Sequence, residues 1–204
     1  MYGYRTYNRN YRQFEPKVIR EYYDDIPLNS NSLALLNAIK RHICVYLTIG
    51  DPAPNFTLEG IVDGKIKNMS LDDYDNKWKV IFFYNYNFEH IFYTELFNLV
   101  KKYNRFLDIN TIILPISTDS IYCHKNFLMN SEIGKQIKFP LLSDKTHLIS
   151  KAYGVYNEKE SSAYGGTFIV CPNGIIRAWS VNPQNVDRNI DELIRQLEVL
   201  QSSQ

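Results

Sequence analysis

The sequence predicts an α/β domain: a mixed central β-sheet with helices on both faces, preceded by an N-terminal tail and a helix. Three observations carry this. "NKWKVIFFYNY" and "TIILPIS" are close to continuously apolar, as strands buried on both faces are. Segments with a 3.6-residue apolar period alternate with them. "GTFIVCPNGIIRAWSV" then reads as two strands joined by Pro172-Asn173-Gly174, a strong turn signal.

Along the chain, Met1–Leu28 shows no clear period. Arg5, Arg9, Arg12, Lys17 and Arg20 stand there against Glu15 alone, interleaved with Tyr2, Tyr4, Tyr7 and Tyr11. Such Arg–Tyr alternation can stack on bases or clamp an anionic partner, whereas a mobile polar tail is the plainer reading. Asn29–Leu47 has a Ser or Asn cap, and Leu33, Leu35, Leu36, Ile39, Ile43 and Leu47 fall roughly on one face, so it reads as a helix. "IGDPAPNF" follows; its prolines and Gly50 stop that helix, and the boundary between an extension over 1–47 and a domain over 48–204 falls there. Phe56–Val62 and Lys65–Met69 are two arms of a first hairpin. Thr94–Phe106 is helical, with Leu96, Leu99, Val100, Tyr103 and Phe106 in one stripe. Thr111–Ser117 is the next buried strand. Ser120–Met129 and His147–Tyr153 are helices, and Asp191–Leu200 is an amphipathic final helix.

The chain has 204 residues, 45% of them hydrophobic and 22% charged, enough to bury a sizeable core. A net charge of +1 gives no global pull toward nucleic acid or a membrane surface. The apolar runs are too short to span a bilayer, and Met1–Arg20 lacks the apolar stretch of a secretory signal. Three cysteines, Cys44, Cys123 and Cys171, build no disulfide framework. The expected setting is therefore intracellular and reducing: the cytoplasm or an organelle interior.

Five stretches resemble one family. They are "IGDPAPNFTL", "VIFFYNYNF…TE", "STDSIYCHKNF", "FPLLSDKTHLISKAYGV", and "GTFIVCPNGIIRAWSVN" with "VDRNIDELIRQLEVLQ". From Ile49 to Gln201 the chain resembles a peroxiredoxin of the alkyl hydroperoxide reductase and thiol-specific antioxidant type, typical two-cysteine subgroup. The resemblance implies a thioredoxin-like fold. It also implies chemistry in which a thiolate at a helix N-terminus, biased by an arginine, attacks a peroxide oxygen.

The residues that this chemistry needs are replaced. The resemblance places the shielding proline at Asn85, the peroxide-orienting threonine at Glu89, the peroxidatic cysteine at Phe92 and the arginine at Gly165. The proline after the cysteine is Tyr93; Thr94 and Glu95 remain. A resolving cysteine is implied toward the C-terminus, where this sequence reads "LQSSQ". A phenyl ring cannot ionise or attack, Glu89 adds negative charge, and no basic residue is expected in the arginine's place.

Other reactive side chains carry weaker signals. Cys123 adjoins His124, but neighbours on a helix point about 100° apart, so adjacency alone does not pair them. Cys171, at the edge of the hairpin turn, could be exposed and oxidisable there, yet nothing nearby in the sequence would lower its pKa. Cys44 with His42 and Cys123 with His124 match no zinc spacing, and no metal or cofactor is expected. Glu89-His90 and Asp72, Asp73 and Asp75 read as solvated polar surface. The aromatics Phe82, Tyr84, Tyr86, Phe88, Phe92 and Tyr93 are expected to fill the space of a peroxide site as a packed plug.

The sequence thus points to a peroxiredoxin-like scaffold without peroxidase chemistry, partnered by other proteins in a larger complex or a homodimer, with no small-molecule substrate. The resemblance implies a dimer edge along Ile175, Ile176, Arg177, Ala178 and Trp179. The rival expectation is a thiol oxidoreductase or peroxidase that uses a non-standard cysteine, Cys123 or Cys171.

Overall fold

The structure, a computed structural model, describes residues 47–87, 90–183 and 185–203; of His90 and Ile91 it describes the backbone only. The Tyr/Arg tail, the expected helix before Leu47, Cys44, Phe88 and Glu89 lie outside the described residues.

Among the described residues there are nine strands, the longer ones formed by the alternating and continuous apolar runs. β1 (Thr57–Val62) and β2 (Lys65–Ser70) form the first hairpin. β3 (Trp78–Phe83) and β4 (Thr111–Ser117) are buried at every position and run parallel in the middle of the sheet. β5 (Leu141–Ser143) pairs parallel with β4 and antiparallel with β1. β6 (Tyr156–Asn157) and β7 (Ser162–Ala163) form a separate short pair. β8 (Gly165–Val170) and β9 (Ile176–Asn182) are the second hairpin, turned at Gly174, whose φ of 77° favours glycine. The main sheet has the order β2-β1-β5-β4-β3-β8-β9, so β2 and β9 are its edges.

The described residues also form four α-helices: α1 (His90–Asp108), α2 (Ile121–Asn130), α3 (Leu148–Ala152) and α4 (Ile190–Ser202). Ser120 caps α2 by accepting from the Cys123 N–H, and Asn189 caps α4 by accepting from Asp191 and Glu192. The predicted stripe on α1 holds: Leu96, Leu99 and Phe106 are fully buried, with Val100 and Tyr103 packed beside them. Period 2 along β3 divides the core. Trp78, Val80, Phe82 and Tyr84 share one cluster with residues of α1, α2 and α4. Phe83 turns to the other face, against Tyr153 just beyond α3 and against Phe168. Helices therefore cover both faces, as expected. β5 and the β6–β7 pair were not anticipated; strands of two or three residues carry no readable period.

Candidate functional site

β3 delivers Tyr84 to the end of the sheet, where its N–H donates to the Ile116 carbonyl at 3.0 Å. The chain turns through Asn85–Asn87 and enters α1, so Phe92 sits in the first helical turn. This is where a thiolate would gain from the helix dipole. The Phe92 ring is 2% exposed and lies parallel to the Tyr84 ring, 1° apart with centroids 3.7 Å apart. Phe127 of α2 approaches Phe92 at 6.4 Å and Tyr93 edge-on at 5.6 Å. The expected plug forms from Phe82, Tyr84 and Phe92, all buried, and half-buried Tyr93. Tyr86 departs from it: its ring is partly exposed and its hydroxyl donates to the Glu160 carbonyl at 2.9 Å. At the neighbouring position, the Asn85 Oδ1 is buried without a partner.

A polar network that sequence spacing did not reveal lies beneath the aromatic stack. The Asn87 side chain is fully buried; its Oδ1 accepts from the Tyr84 hydroxyl at 2.9 Å. Its Nδ2 lies 2.8 Å from the His124 Nδ1 and 3.5 Å from the Cys123 sulfur. The Asn87 N–H donates to Asp119 at 2.9 Å. His124 Nε2 lies 3.1 Å from the Leu142 carbonyl oxygen, so it carries the proton there and Nδ1 accepts. Cys123 and His124, which do not face each other along the helix, are joined through Asn87. The join does not activate the thiol. Burial pushes the Cys123 thiol up, Asp119 reinforces this, and only the Asn87 amide opposes it. Burial also lowers His124 to about 4, so no imidazolium stands by to stabilise a thiolate at neutral pH.

The expectation that no basic residue stands at the arginine's place needs correction. A Cβ built on Gly165 would lie 3.8 Å from the Arg188 guanidinium carbon, so a cation from a different element is present beside it. Arg188 Nε and Nη2 donate to Glu95 at 2.8 and 2.7 Å, and its backbone N–H donates to the same carboxylate. Nη1 donates to the carbonyls of Phe83 and Gly166 and to the Thr167 hydroxyl. The guanidinium also lies over the Phe82 ring, 3.3 Å from its centroid. Both charges are buried, with side chains 8% and 4% exposed, and burial lowers the Arg188 pKa. Protein acceptors thus hold every nitrogen of the guanidinium, which therefore serves the packing of α1 against β8 and α4. "TEL" and "DRN" were the available sequence signals, but their pairing depends on the fold.

The structure decides the exposure of Cys171. It is 2% exposed and packs in the core with Trp78, rather than at an open turn edge. Buried Lys79 reaches the Pro172 carbonyl at 3.5 Å; desolvation lowers its pKa, against Asp75, Cys171 and Asp72. Asp73 accepts from the Ser70 N–H and Asp72 accepts from Asn55, so this cluster closes a turn. Among the described residues no three His, Cys, Asp or Glu side chains are placed to hold a metal ion. No helix among them is long and apolar enough to cross a membrane.

β9 is an edge strand. Ile176 is buried, while Arg177 and Ala178 are half-buried and Trp179 and Val181 are exposed. A groove of about 420 Å³ runs between β9 and α4, lined by Ala178, Ser180, Leu193, Gln196 and Val199 among others. The opposite edge, β2, exposes Lys65 and Lys67.

This sheet, with its candidate site at the head of the helix that follows the first central strand, defines a thioredoxin-like α/β protein. The chain belongs to the AhpC/TSA family, whose model matches residues 49–179. It is 38% identical over 157 residues to a mitochondrial thioredoxin-dependent peroxide reductase of Drosophila melanogaster, covering 75% of this chain and 67% of that one. It is 35% identical to a thioredoxin peroxidase of Fasciola hepatica, over 72% of this chain and 77% of that one. Among solved structures, AhpC of Enterococcus faecalis matches with a TM-score of 0.73 at 32% identity, covering 75% of this chain and 92% of that one. AhpC of Mycobacterium tuberculosis matches with a TM-score of 0.72 at 34% identity, over 78% and 95%.

Proposed function

We propose that this chain is a peroxiredoxin-family protein without peroxidatic chemistry, acting as a structural or scaffold subunit that binds other proteins. One observation carries the reading: the ring of Phe92 is stacked at 3.7 Å on Tyr84 at the helix position where the family resemblance puts the nucleophile. No sulfur stands there, and Arg188 has its N–H groups bound to protein acceptors. The thiol oxidoreductase reading draws little support, because Cys171 is buried and Cys123 sits beside Asp119, which disfavours its thiolate. Gly165, Asn85 and Glu89 stand in place of the other residues that chemistry would use.

The pairing surface we favour is the β9 edge. An unpaired edge offers a row of backbone donors and acceptors, and lysines at an edge deter pairing. β2 carries such lysines, whereas β9 presents Trp179 and Val181 beside a groove, which supports a homodimer or a larger protein complex through the Ile175–Val181 edge; its start is already paired, Ile176 exchanging backbone hydrogen bonds with Gly50 and Asp51, which leaves Arg177–Val181 open. The extension over 1–47, with its Tyr/Arg tail, is the candidate anchor for a specific anionic partner surface, and the setting we favour is a reducing intracellular compartment. The test has two arms. A peroxide-consumption assay on the purified chain is expected to show no turnover, and turnover that disappears in Cys123→Ser or Cys171→Ser overturns the proposal. Native isolation with mass spectrometry is expected to return a defined protein complex, and a solitary monomer counts against the scaffold role.

A further inference from the structure

The β8–β9 turn reads Cys171-Pro172-Asn173-Gly174, and Asn173 is the one asparagine of the chain that precedes a glycine. An asparagine side-chain carbonyl is open to attack by the main-chain nitrogen of the next residue, which closes a five-membered ring. A side chain on that next residue crowds the nitrogen, and burial holds the amide still; this turn has neither restraint. Gly174 carries no side chain, and a Cβ built on it would meet nothing within 4 Å. Asn173 is exposed. The Gly174 N–H closes the turn on the Cys171 carbonyl at 2.9 Å, and that single bond at the hairpin tip must open for the nitrogen to react. Lys79 Nζ reaches the Pro172 carbonyl at 3.5 Å, so a cation stands one peptide unit from Asn173 and favours the negative charge that builds up there.

The same turn is a fastening point. The Ala53 N–H donates to the Gly174 carbonyl at 2.8 Å. The Gly50 N–H donates to the Ile176 carbonyl, and the Ile176 N–H to the Asp51 carbonyl, each at 2.9 Å. Pro52 and Ile175 face each other as an antiparallel bridge. Residues 50–53 are thus laced to the start of β9, in a register set by the length of main chain at the turn.

We propose that Asn173-Gly174 is a self-modification site: in the folded protein Asn173 deamidates through a succinimide, and the isoaspartate that results unfastens residues 50–53 from the start of β9.

Water is the one co-reactant, and nothing is oxidised or reduced. The Gly174 nitrogen gives up its proton and bonds to Asn173 Cγ; the Cγ–Nδ2 bond breaks and ammonia leaves. Water then opens the ring. Opening at Cγ leaves aspartate on the original main chain. Opening at the main-chain carbonyl leaves isoaspartate, whose chain runs through Cβ and Cγ and is one methylene longer. That extra methylene lies between the Cys171 and Gly174 carbonyls, so the Gly174 carbonyl moves off the Ala53 N–H. The reaction belongs to the turn and proceeds whether or not the chain turns over peroxide.

The test is incubation of the full chain at mildly alkaline pH, folded and in urea, followed by mass spectrometry of the tryptic peptide 160–177, which holds no other Asn or Asp. Folded chain is expected to exchange –NH2 for –OH in this peptide at a rate within about tenfold of the unfolded chain, and the product to accept a methyl group from an isoaspartyl methyltransferase. A folded chain that keeps Asn173 intact while the unfolded chain loses it overturns the proposal. In amide exchange, the isoaspartate fraction of aged protein is expected to lose protection at Ala53 and Ile176 by about tenfold, while Ile81 and Leu114 keep theirs. Unchanged exchange at Ala53 and Ile176 overturns the proposal as well. Asn173→Asp carries the new charge on a chain of the original length and is expected to keep Ala53 protected; an equal loss in that variant also overturns it.

Discussion

The rings of Tyr84 and Phe92 lie in parallel planes, 1° apart, with their centroids 3.7 Å from each other. That spacing is van der Waals contact between two π faces and leaves no room between them for a small ligand. Phe92 is thereby part of the core rather than the lining of an empty pocket.

Phe92→Cys is expected to place a thiol at the head of α1 without restoring peroxide turnover, because Asn85, Glu89 and Gly165 are unchanged and Arg188 is already occupied. Removing a buried phenyl ring should cost about 3 kcal/mol of stability. Urea unfolding reads the second effect and peroxide consumption the first; rapid turnover by the single variant would show that Phe92 alone silences the site.

Glu95→Gln is expected to destabilise the domain by about 3–5 kcal/mol, since it leaves the Arg188 guanidinium buried without its counter-charge. Combining it with Arg188→Met should recover much of that loss. Denaturant midpoints for the single and double variants form the check, and simple additivity would rule out the coupling.

Stability should fall as the pH drops from about 6.5 toward 4. His124 has its pKa lowered to about 4 from the ordinary 6.5, chiefly by burial, so across that window the unfolded chain binds the proton and the folded chain resists it. The contribution is complete above 6.5 and lost toward 4, amounting to about 3 kcal/mol. Unfolding free energies at several pH values, with His124→Gln as the reference, measure it; identical pH dependence in the two proteins would remove His124 as the cause.

The Cys123 thiol should alkylate more slowly than a free thiol at pH 7.5, since burial and then Asp119 push its pKa up. Asp119→Asn should speed the reaction several-fold. A rate with iodoacetamide equal to or above that of free cysteine would revive Cys123 as a redox candidate.

Val181→Lys, on the exposed side of β9, should convert a dimer to a monomer while leaving the melting temperature within a few degrees. Light scattering coupled to gel filtration reports the mass. An unaltered oligomer would move the interface away from this edge.

The sequence made most of the fold legible. The continuous apolar runs at β3 and β4, the stripe Leu96–Leu99–Phe106 and the Pro172-Asn173-Gly174 turn are local signals, readable from a few adjacent residues. The shortest elements, β5 to β7, escaped because they form by pairing with distant strands rather than by any pattern of their own. The candidate site was half legible. That a phenyl group and not a thiol occupies position 92 is a property of the chain alone, and ionisation chemistry follows from it directly. That Cys171 is buried, that Asn87 joins Cys123 to His124, and that Arg188 stands beside Gly165 follow from the fold.

By itself, then, the sequence determined the order of the elements and which chemical groups the protein owns. The tertiary structure alone decided which of those groups meet. Glu95 and Arg188 are 93 residues apart, and their ion pair exists because α1 and the segment leading into α4 meet beside the ends of β3 and β8. Hydrophobic period and turn chemistry act over a few residues, whereas burial, which sets both the strength of that pair and the neutrality of His124, is a property of the packed whole.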